Sequence, residues 1–468
     1  MVRTRIAPSP TGEDLHIGNL YTAYLNWAYA KGKQGRFIIR IEDTDRTRLI
    51  EGSEEKIHKT LQDYGITADE SILIPGSFGP YRQSERLETY KKYADELVEK
   101  KAAYFCTCTI QRLDEIREQM KKDKKVPKYD KYCLDRQDEV KKEIEQGAPY
   151  VVRLDVPDNQ DVTFTDVVRG DITINTNDID DQVLLKADGF PTYHLAVVVD
   201  DHLMEISHVI RAEEWIASTP KHILLYKAFG WELPVFVHVP ILRNADRSKL
   251  SKRKNPVWAS YYLEEGYFPE AVLNFLALMG WTHPEGKEIF SVDEFISLFD
   301  INDIRSGGPV FDLTKLTWMN GEYIRAMNIE NLKFLIFNFQ KGKYSKELIE
   351  QTVPLVQERI KTLKEFDEYC DFFLNAPSKY EVSLDDYKDL FPKIITTLET
   401  IQDADWKAET IGEKLQNLAE KEGVPFGKFF MAIRVAITGK KVTPPLNESL
   451  EIVGKEETLK RINTIANR

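Results

Sequence analysis

Long apolar runs are missing from this 468-residue chain. No stretch approaches the roughly 18 uncharged apolar residues that a membrane span needs, so no membrane role is expected. The opening MVRTRIAPSPTG has two arginines but no apolar core of the kind a secretory leader carries, so export is not expected either. Cysteine is scarce. Four in so long a chain do not make a disulfide framework, which fits a reducing cytoplasm. Positive charge is not in excess, with 64 Lys and Arg against 76 Asp and Glu and a net charge of −12. That counts mildly against a nucleic-acid partner, because phosphate contacts need cations. It does not exclude one, since the basic residues can be concentrated on one face. Internal repeats and low-complexity tracts are absent as well.

What is present is an ordinary globular composition, 42% apolar and 30% charged. The length suggests about three domains. The opening is α/β: a short strand at Arg3–Ala7, a turn-rich Pro8-Ser9-Pro10-Thr11-Gly12, a helix from about Gly18 to Ala30, then an apolar strand at Phe37–Ile41. Strand, turn, helix, strand is the first unit of a doubly wound sheet, which places ligand loops at the strand C-terminal ends. An amphipathic helix is expected over 85–101 and short β-rich runs over 149–174. Strands are expected again at Leu195–Val199 and His208–Ile210, so the block between looks like an insertion in the first domain. Helices are expected at Pro269–Gly280, Asp293–Phe299 and Leu313–Met319, and from about Ile329 the chain becomes a succession of charged amphipathic helices.

The turn between the first strand and helix continues into Leu15-His16-Ile17-Gly18-Asn19. A phosphate site belongs there, because free backbone N–H groups and the helix dipole favour an anion. His16 can donate to a phosphate oxygen, and Gly18 lets a ligand approach the backbone closely. Taken alone, the segment is equally a proline-rich turn before a buried helix. A second piece is Lys249-Leu250-Ser251-Lys252-Arg253-Lys254. Such a run is commonly a solvated loop. Its functional reading uses Lys252 and Lys249 to stabilise charge on a transferring phosphate.

The pair resembles the two signature motifs of class I aminoacyl-tRNA synthetases. "APSPTG…LHIGN" resembles the opening of glutamyl-tRNA synthetases in particular, as do "RIEDTDRTR", "GPYRQSERL", "DGFPTYHLA", "VIRAEEW", "LSKRK" and "GGPVFDLTKLTWMNGEYIR". They occur in the family's order from residue 3 to residue 325, which makes the set far more specific than any member of it.

The resemblance implies a Rossmann-type catalytic domain over 1–86 and 196–245, an α+β acceptor-end-binding insertion over 87–195, a stem-contact domain over 246–328 with the KLSKR loop, and an all-α anticodon-binding region over 329–468. It implies ATP contacts from Pro8, Ser9, Thr11, Gly12, His16, Gly18, Asn19, Glu214, Trp215, Lys249, Leu250, Ser251, Lys252 and Arg253, with Mg²⁺ accompanying the nucleotide. Glutamate contacts are implied at Arg5, Ala7, Ser9, Glu42, Tyr193, Val197 and Arg211. Arginine suits the γ-carboxylate, because its planar fork donates parallel hydrogen bonds. Glu42 would take the ammonium group; otherwise it is a strand-end carboxylate paired with Arg46. Val197 stands where the family often has Asn.

Cys106-x-Cys108 with Tyr129 and Cys133 resembles a zinc element in the insertion of some family members, with Tyr129 or Asp135 as fourth ligand. Without a metal these are three cytoplasmic thiols. "QERIKTLKEF" places Arg359 on an arginine that reads the last anticodon base in members selective for glutamate tRNA; an exposed arginine in a salt bridge is the alternative. The expected activity is ATP-dependent ligation of L-glutamate to tRNA(Glu), by a monomer. The alternatives are a relaxed enzyme that also charges tRNA(Gln) and a noncatalytic tRNA-binding paralogue.

Overall fold

The computed structural model describes residues 1–124, 126–250 and 256–467. Among them are nine strands: β1 (Arg3–Ile6), β2 (Arg36–Ile39), β3 (Ala103–Cys106), β4 (Val151–Leu154), β5 (Asp161–Asp166), β6 (Gly170–Asn175), β7 (Val183–Leu185), β8 (His208–Ala212) and β9 (Val235–Val239). The chain divides into two compact units, residues 1–263 with 269–313, and residues 264–268 with 314–468.

In the first unit, β1 and β2 pair in parallel and the helix Ile17–Gly32 connects them. β8 and β9 also pair in parallel, joined by the helix Thr219–Phe229. The Ser207 amide donates to the Arg3 carbonyl at 3.0 Å, which sets β8 beside β1. These strands are largely buried, yet only β2 and β9 read as mainly apolar runs; β1 and β8 carry the buried Arg3, Arg5 and Arg211 among their apolar residues. The helix Ile17–Gly32 is buried on nearly every face. It packs so closely against Pro269–Gly280 that a Cβ on Gly280 would stand 2.2 Å from the Tyr21 hydroxyl.

The segment after the helix Leu87–Glu99 builds its own antiparallel sheet in the order β3-β4-β7. The β5–β6 hairpin departs from it. β5 pairs in parallel with β9 at Asp166 and Phe236, so this part of the segment expected as an insertion joins the β8–β9 sheet.

One sequence expectation is corrected. Leu195–Val199 is not a strand but lies within the helix Tyr193–Leu203. Its β-branched run looks like a buried strand, yet the helix is covered on all sides here. Leu195, Ala196, Val197, Val198 and Val199 all sit in one apolar cluster with Tyr90, Leu97, Val152 and Leu225. A short apolar run cannot distinguish the two states by periodicity.

Helices are the regular elements of the second unit among its described residues, joined by turns and irregular segments. Its later helices, from Phe391–Glu399 to Lys455–Ala466, close around Phe391, Leu398, Trp406, Leu415, Phe429, Ile437 and Ile462.

Candidate active site

β1, β8 and the helix Tyr193–Leu203 bring Arg5, Arg211 and Tyr193 to one place, with Glu42 just past β2. The Tyr193 hydroxyl feels the charges of Arg211, Glu42 and Arg5, although burial is the main reason its proton is held more tightly than usual.

The two arginines are not equivalent. Arg5 is already neutralised: its Nε and Nη2 donate to Oδ1 and Oδ2 of Asp201 at 3.1 and 3.2 Å. Arg211 is 5% exposed, and its partners are all uncharged. Nε donates to His238 Nε2 at 3.0 Å and Nη2 to the Thr219 hydroxyl at 2.8 Å. Nη1 donates to the Tyr193 hydroxyl at 3.0 Å and faces His222 Nδ1 at 3.3 Å. Burial, followed by the charge of Arg211, holds His222 well below the usual imidazole range. Burial likewise lowers His238, although its bond to Asp166 works the other way. Burial and nearby cations hold His194, which faces His222 Nε2 at 3.1 Å, at about 3. These imidazoles are therefore neutral at physiological pH. Arg211 has no carboxylate partner among the described residues.

A charged network lies beside these residues. The fully buried Arg40 bonds Asp201 at 2.8 Å and Glu42 at 3.1 Å, and it stands 3.6 Å from Asp200. Glu42 thus pairs with Arg40 and not with Arg46, which lies over the Phe190 ring. Burial raises the Glu42 carboxyl above its ordinary value, although Arg40 and Arg5 pull it down. Asp201 is likewise penalised by burial, but Arg5 and Arg40 prevail and hold it below the usual carboxylate range. Val197 is packed in the apolar cluster described above.

Several of the residues expected to meet nucleotide lie around the start of the first helix. His16 caps that helix, its Nδ1 accepting from the Gly18 amide at 3.0 Å. In the neutral ring this puts the proton on Nε2. The peptide of Ile17 donates to the Val257 carbonyl at 2.7 Å, which ties this turn to the chain just beyond the cationic run. Pro8 and Pro10 carbonyls accept from Glu42 and Ile50, and Thr11 donates its amide to Ser9. Trp215 packs on the Tyr193 ring, with centroids 4.4 Å apart. Lys249 pairs with Glu214, so the described end of the cationic run meets the segment that follows β8. Leu250 is buried. Ser251, Lys252 and Arg253 lie outside the described residues.

The cysteine cluster forms at the end of β3. The sulfurs of Cys106, Cys108 and Cys133 all lie within 4.8 Å of one another, and among the described residues no carboxylate joins them. The Tyr129 hydroxyl sits 3.4 Å from Cys106 Sγ and 3.2 Å from Cys108 Sγ, and it accepts from the Cys133 amide at 3.0 Å. The bond with Cys133 draws the Cys106 thiol down to about 4 against the effect of burial, with help from Tyr129 and Arg153. The same contact, together with burial, pushes Cys133 up. Sulfurs at this spacing fit the thiolate corners of a tetrahedral metal site.

In the second unit, Arg359 is exposed on the turn that follows the helix Lys346–Val356, close enough to Arg434 for the two cations to repel. The Arg434 guanidinium bonds to Thr443 and the Pro444 carbonyl.

Residues 1–318 match the catalytic-domain model of class I tRNA synthetases (E and Q), and residues 325–466 match an anticodon-binding domain model. The chain is 44% identical to the glutamate–tRNA ligase of Fusobacterium nucleatum, over 100% of this chain and 98% of that protein. The chain belongs to the glutamate–tRNA ligase family. The same identity extends to the ligase of Acidothermus cellulolyticus, over 99% of this chain and 95% of that one. Among solved structures, a glutamate tRNA ligase from Elizabethkingia meningosepticum in complex with its amino acid matches with a TM-score of 0.87. It is 36% identical and covers 100% of this chain and 99% of that one.

The family motifs made Arg5, Glu42, Tyr193 and Arg211 legible in the sequence as candidates for substrate contact. They did not expose the residues behind them. Thr219, His222, His238, Asp166 and Asp201 lie outside the motifs' substrate contacts, although a histidine inside the apolar strand VFVHV is itself a signal, since a buried polar side chain needs a partner.

Proposed function

We propose that the chain joins L-glutamate to tRNA(Glu) in two steps, through a glutamyl-adenylate, releasing pyrophosphate and then AMP. The observation that carries this reading is Arg211, a buried guanidinium among neutral partners. Such a cation lacks a counter-charge, and a substrate side-chain carboxylate supplies one. An amide of the same shape does not.

In this reading the side chain of glutamate meets Arg211 and Tyr193, while Glu42 and the Arg5–Asp201 pair define the end that holds the ammonium group. The α-carboxylate is then free to attack the α-phosphorus of ATP. His16 lies at the start of the first helix, where the dipole favours phosphate. Lys249 and Lys252 act on the charge of the departing pyrophosphate, for which Lys249 exchanges Glu214 for phosphate. In the second step the terminal ribose hydroxyl of the tRNA attacks the adenylate carbonyl and AMP leaves. No protein nucleophile is needed, so positioning and electrostatics supply the rate. Mg²⁺ accompanies ATP and neutralises its phosphates. Arg359 reads the anticodon, and the protein works as a cytoplasmic monomer.

Charging with labelled glutamate tests the reading. Purified tRNA(Glu) should be aminoacylated and purified tRNA(Gln) should not. Charging of both would give the relaxed enzyme, and tRNA binding without any charging would leave a noncatalytic paralogue.

Zinc is proposed as a structural ion on Cys106, Cys108 and Cys133, with the Tyr129 oxygen as the fourth donor rather than Asp135. Protein expressed with zinc should contain about one ion per chain, reduced strongly by Cys108→Ser and more mildly by Tyr129→Phe. Metal analysis that finds no zinc in the unmodified chain would remove this assignment.

A further inference from the structure

Arg211 must be held still without being neutralised, and two buried residues are arranged to do this. Asp166 is fully buried at the end of β5. Its Oδ1 accepts from the amides of Val168 and Arg169, both at 3.0 Å. Its Oδ2 accepts from the His238 amide at 3.0 Å and lies 2.7 Å from His238 Nδ1. With three backbone amides already donating to it, the carboxyl acts here as an acceptor, so Nδ1 carries the imidazole proton. Nε2 is then a lone pair, and it receives the Arg211 Nε–H at 3.0 Å. The opposite tautomer would set an N–H against an N–H. Thr219 completes the arrangement: its hydroxyl takes Arg211 Nη2–H at 2.8 Å and stands 3.3 Å from the same His238 nitrogen.

We propose that Asp166 and His238 form a positioning pair that fixes the orientation of Arg211 and thereby sets the preference for a carboxylate over an amide side chain. This rests on the assignment of Arg211 to the substrate side chain. The logic is electrostatic. A carboxylate placed directly on Arg211 would hold the guanidinium but would also satisfy its charge, as Asp201 does for Arg5. A neutral imidazole holds it and leaves the charge for the substrate. Asp166 stays one residue away, fixing the tautomer rather than cancelling the cation, much as a carboxylate orients a metal-bound histidine. The two members are 72 residues apart in sequence and meet because β5 pairs with β9.

Two substitutions separate the two ends of the imidazole. In His238→Asn, the amide nitrogen can replace Nδ1 and keep Asp166 satisfied, but nothing replaces Nε2. In His238→Gln, the side-chain oxygen can reach the Nε2 position and accept from Arg211. Steady-state charging of tRNA(Glu) is measured on the full chain with glutamate and ATP varied in turn, alongside thermal melting and Arg211→Gln. The expected result is that His238→Asn raises the KM for glutamate about tenfold or more, the effect of leaving a buried donor without its acceptor. The KM for ATP should stay within about twofold, and misuse of glutamine should increase. His238→Gln should show a clearly smaller rise.

An unchanged glutamate KM in His238→Asn, with a raised one in Arg211→Gln, would overturn the positioning role and leave the pocket standing. An unchanged KM in Arg211→Gln would remove the pocket assignment itself. Equal losses in both His238 variants, affecting glutamate and ATP alike and accompanied by early melting, would reduce the pair to a structural contact and overturn the proposal.

Discussion

Arg211→Gln raises the KM for glutamate by about two to three orders of magnitude, with the KM for ATP within about twofold. The size follows from truncating one member of a desolvated charge pair, which costs roughly 2–5 kcal/mol. In the native chain the guanidinium is held on several sides at once, by His238, Thr219, Tyr193 and His222. Glutamine at 211 is too short to serve all of them and carries no charge. The carboxylate of the substrate would then be desolvated against a neutral amide, which is unfavourable unless the charge is paired. Glutamine as substrate loses less, so the ratio of the two efficiencies should narrow. Charging assays with each amino acid in competition give that ratio directly. A variant that still selected glutamate with unaltered efficiency would show that another group recognises the side chain.

The second large effect concerns stability. Arg40→Leu should destabilise the first unit by about 3–5 kcal/mol at neutral pH, the cost of breaking a buried charge network from one side. Arg40 is fully buried and contacts Asp201, Glu42 and Asp200. Arg86, Gln83 and Tyr90 also serve Asp200, at 2.7, 2.9 and 2.8 Å, so that carboxylate keeps partners. Among the described residues, Asp201 then keeps Arg5 as its cation, and Glu42 loses its hydrogen-bonded one. The pH dependence has a definite sign. Asp201 is held below the ordinary carboxylate range in the native chain. Its contribution is present above the unfolded value of about 3.9 and is lost as pH falls through the lower folded one. Without Arg40, burial drives both carboxyls up, and protonation relieves the variant before it affects the native chain. Urea melts at pH 7 and near pH 5 should therefore show the difference shrinking toward acid. A constant difference would place the cost in packing and not in charge.

The sequence exposed this site unevenly, for physical reasons. Arg5, Tyr193, Glu42 and Arg211 lie in short motifs whose neighbours are near in sequence. Asp166 and His238 meet only through a parallel strand pairing, and no local pattern announces such a contact. The helix Tyr193–Leu203 was obscured for another reason: burial on every face removes the polar stripe that marks a surface helix. At the cysteine cluster, the family resemblance pointed to Cys106, Cys108 and Cys133, while only the folded chain distinguishes the Tyr129 hydroxyl, set among the sulfurs, from the Asp135 carboxylate, which is not grouped with them.

The neutral surround of Arg211 also bears on how such a chain evolves. A buried cation without a counter-ion is a standing deficit in the ligand-free fold, and drift toward stability would fill it with an acid from the chain itself. Every substitution that did so would make a sturdier protein and a poorer ligase. On the proposed assignment of Arg211, the cradle of imidazoles and hydroxyls is where selection for folding and selection for substrate pull in opposite directions, and bound glutamate would reconcile them.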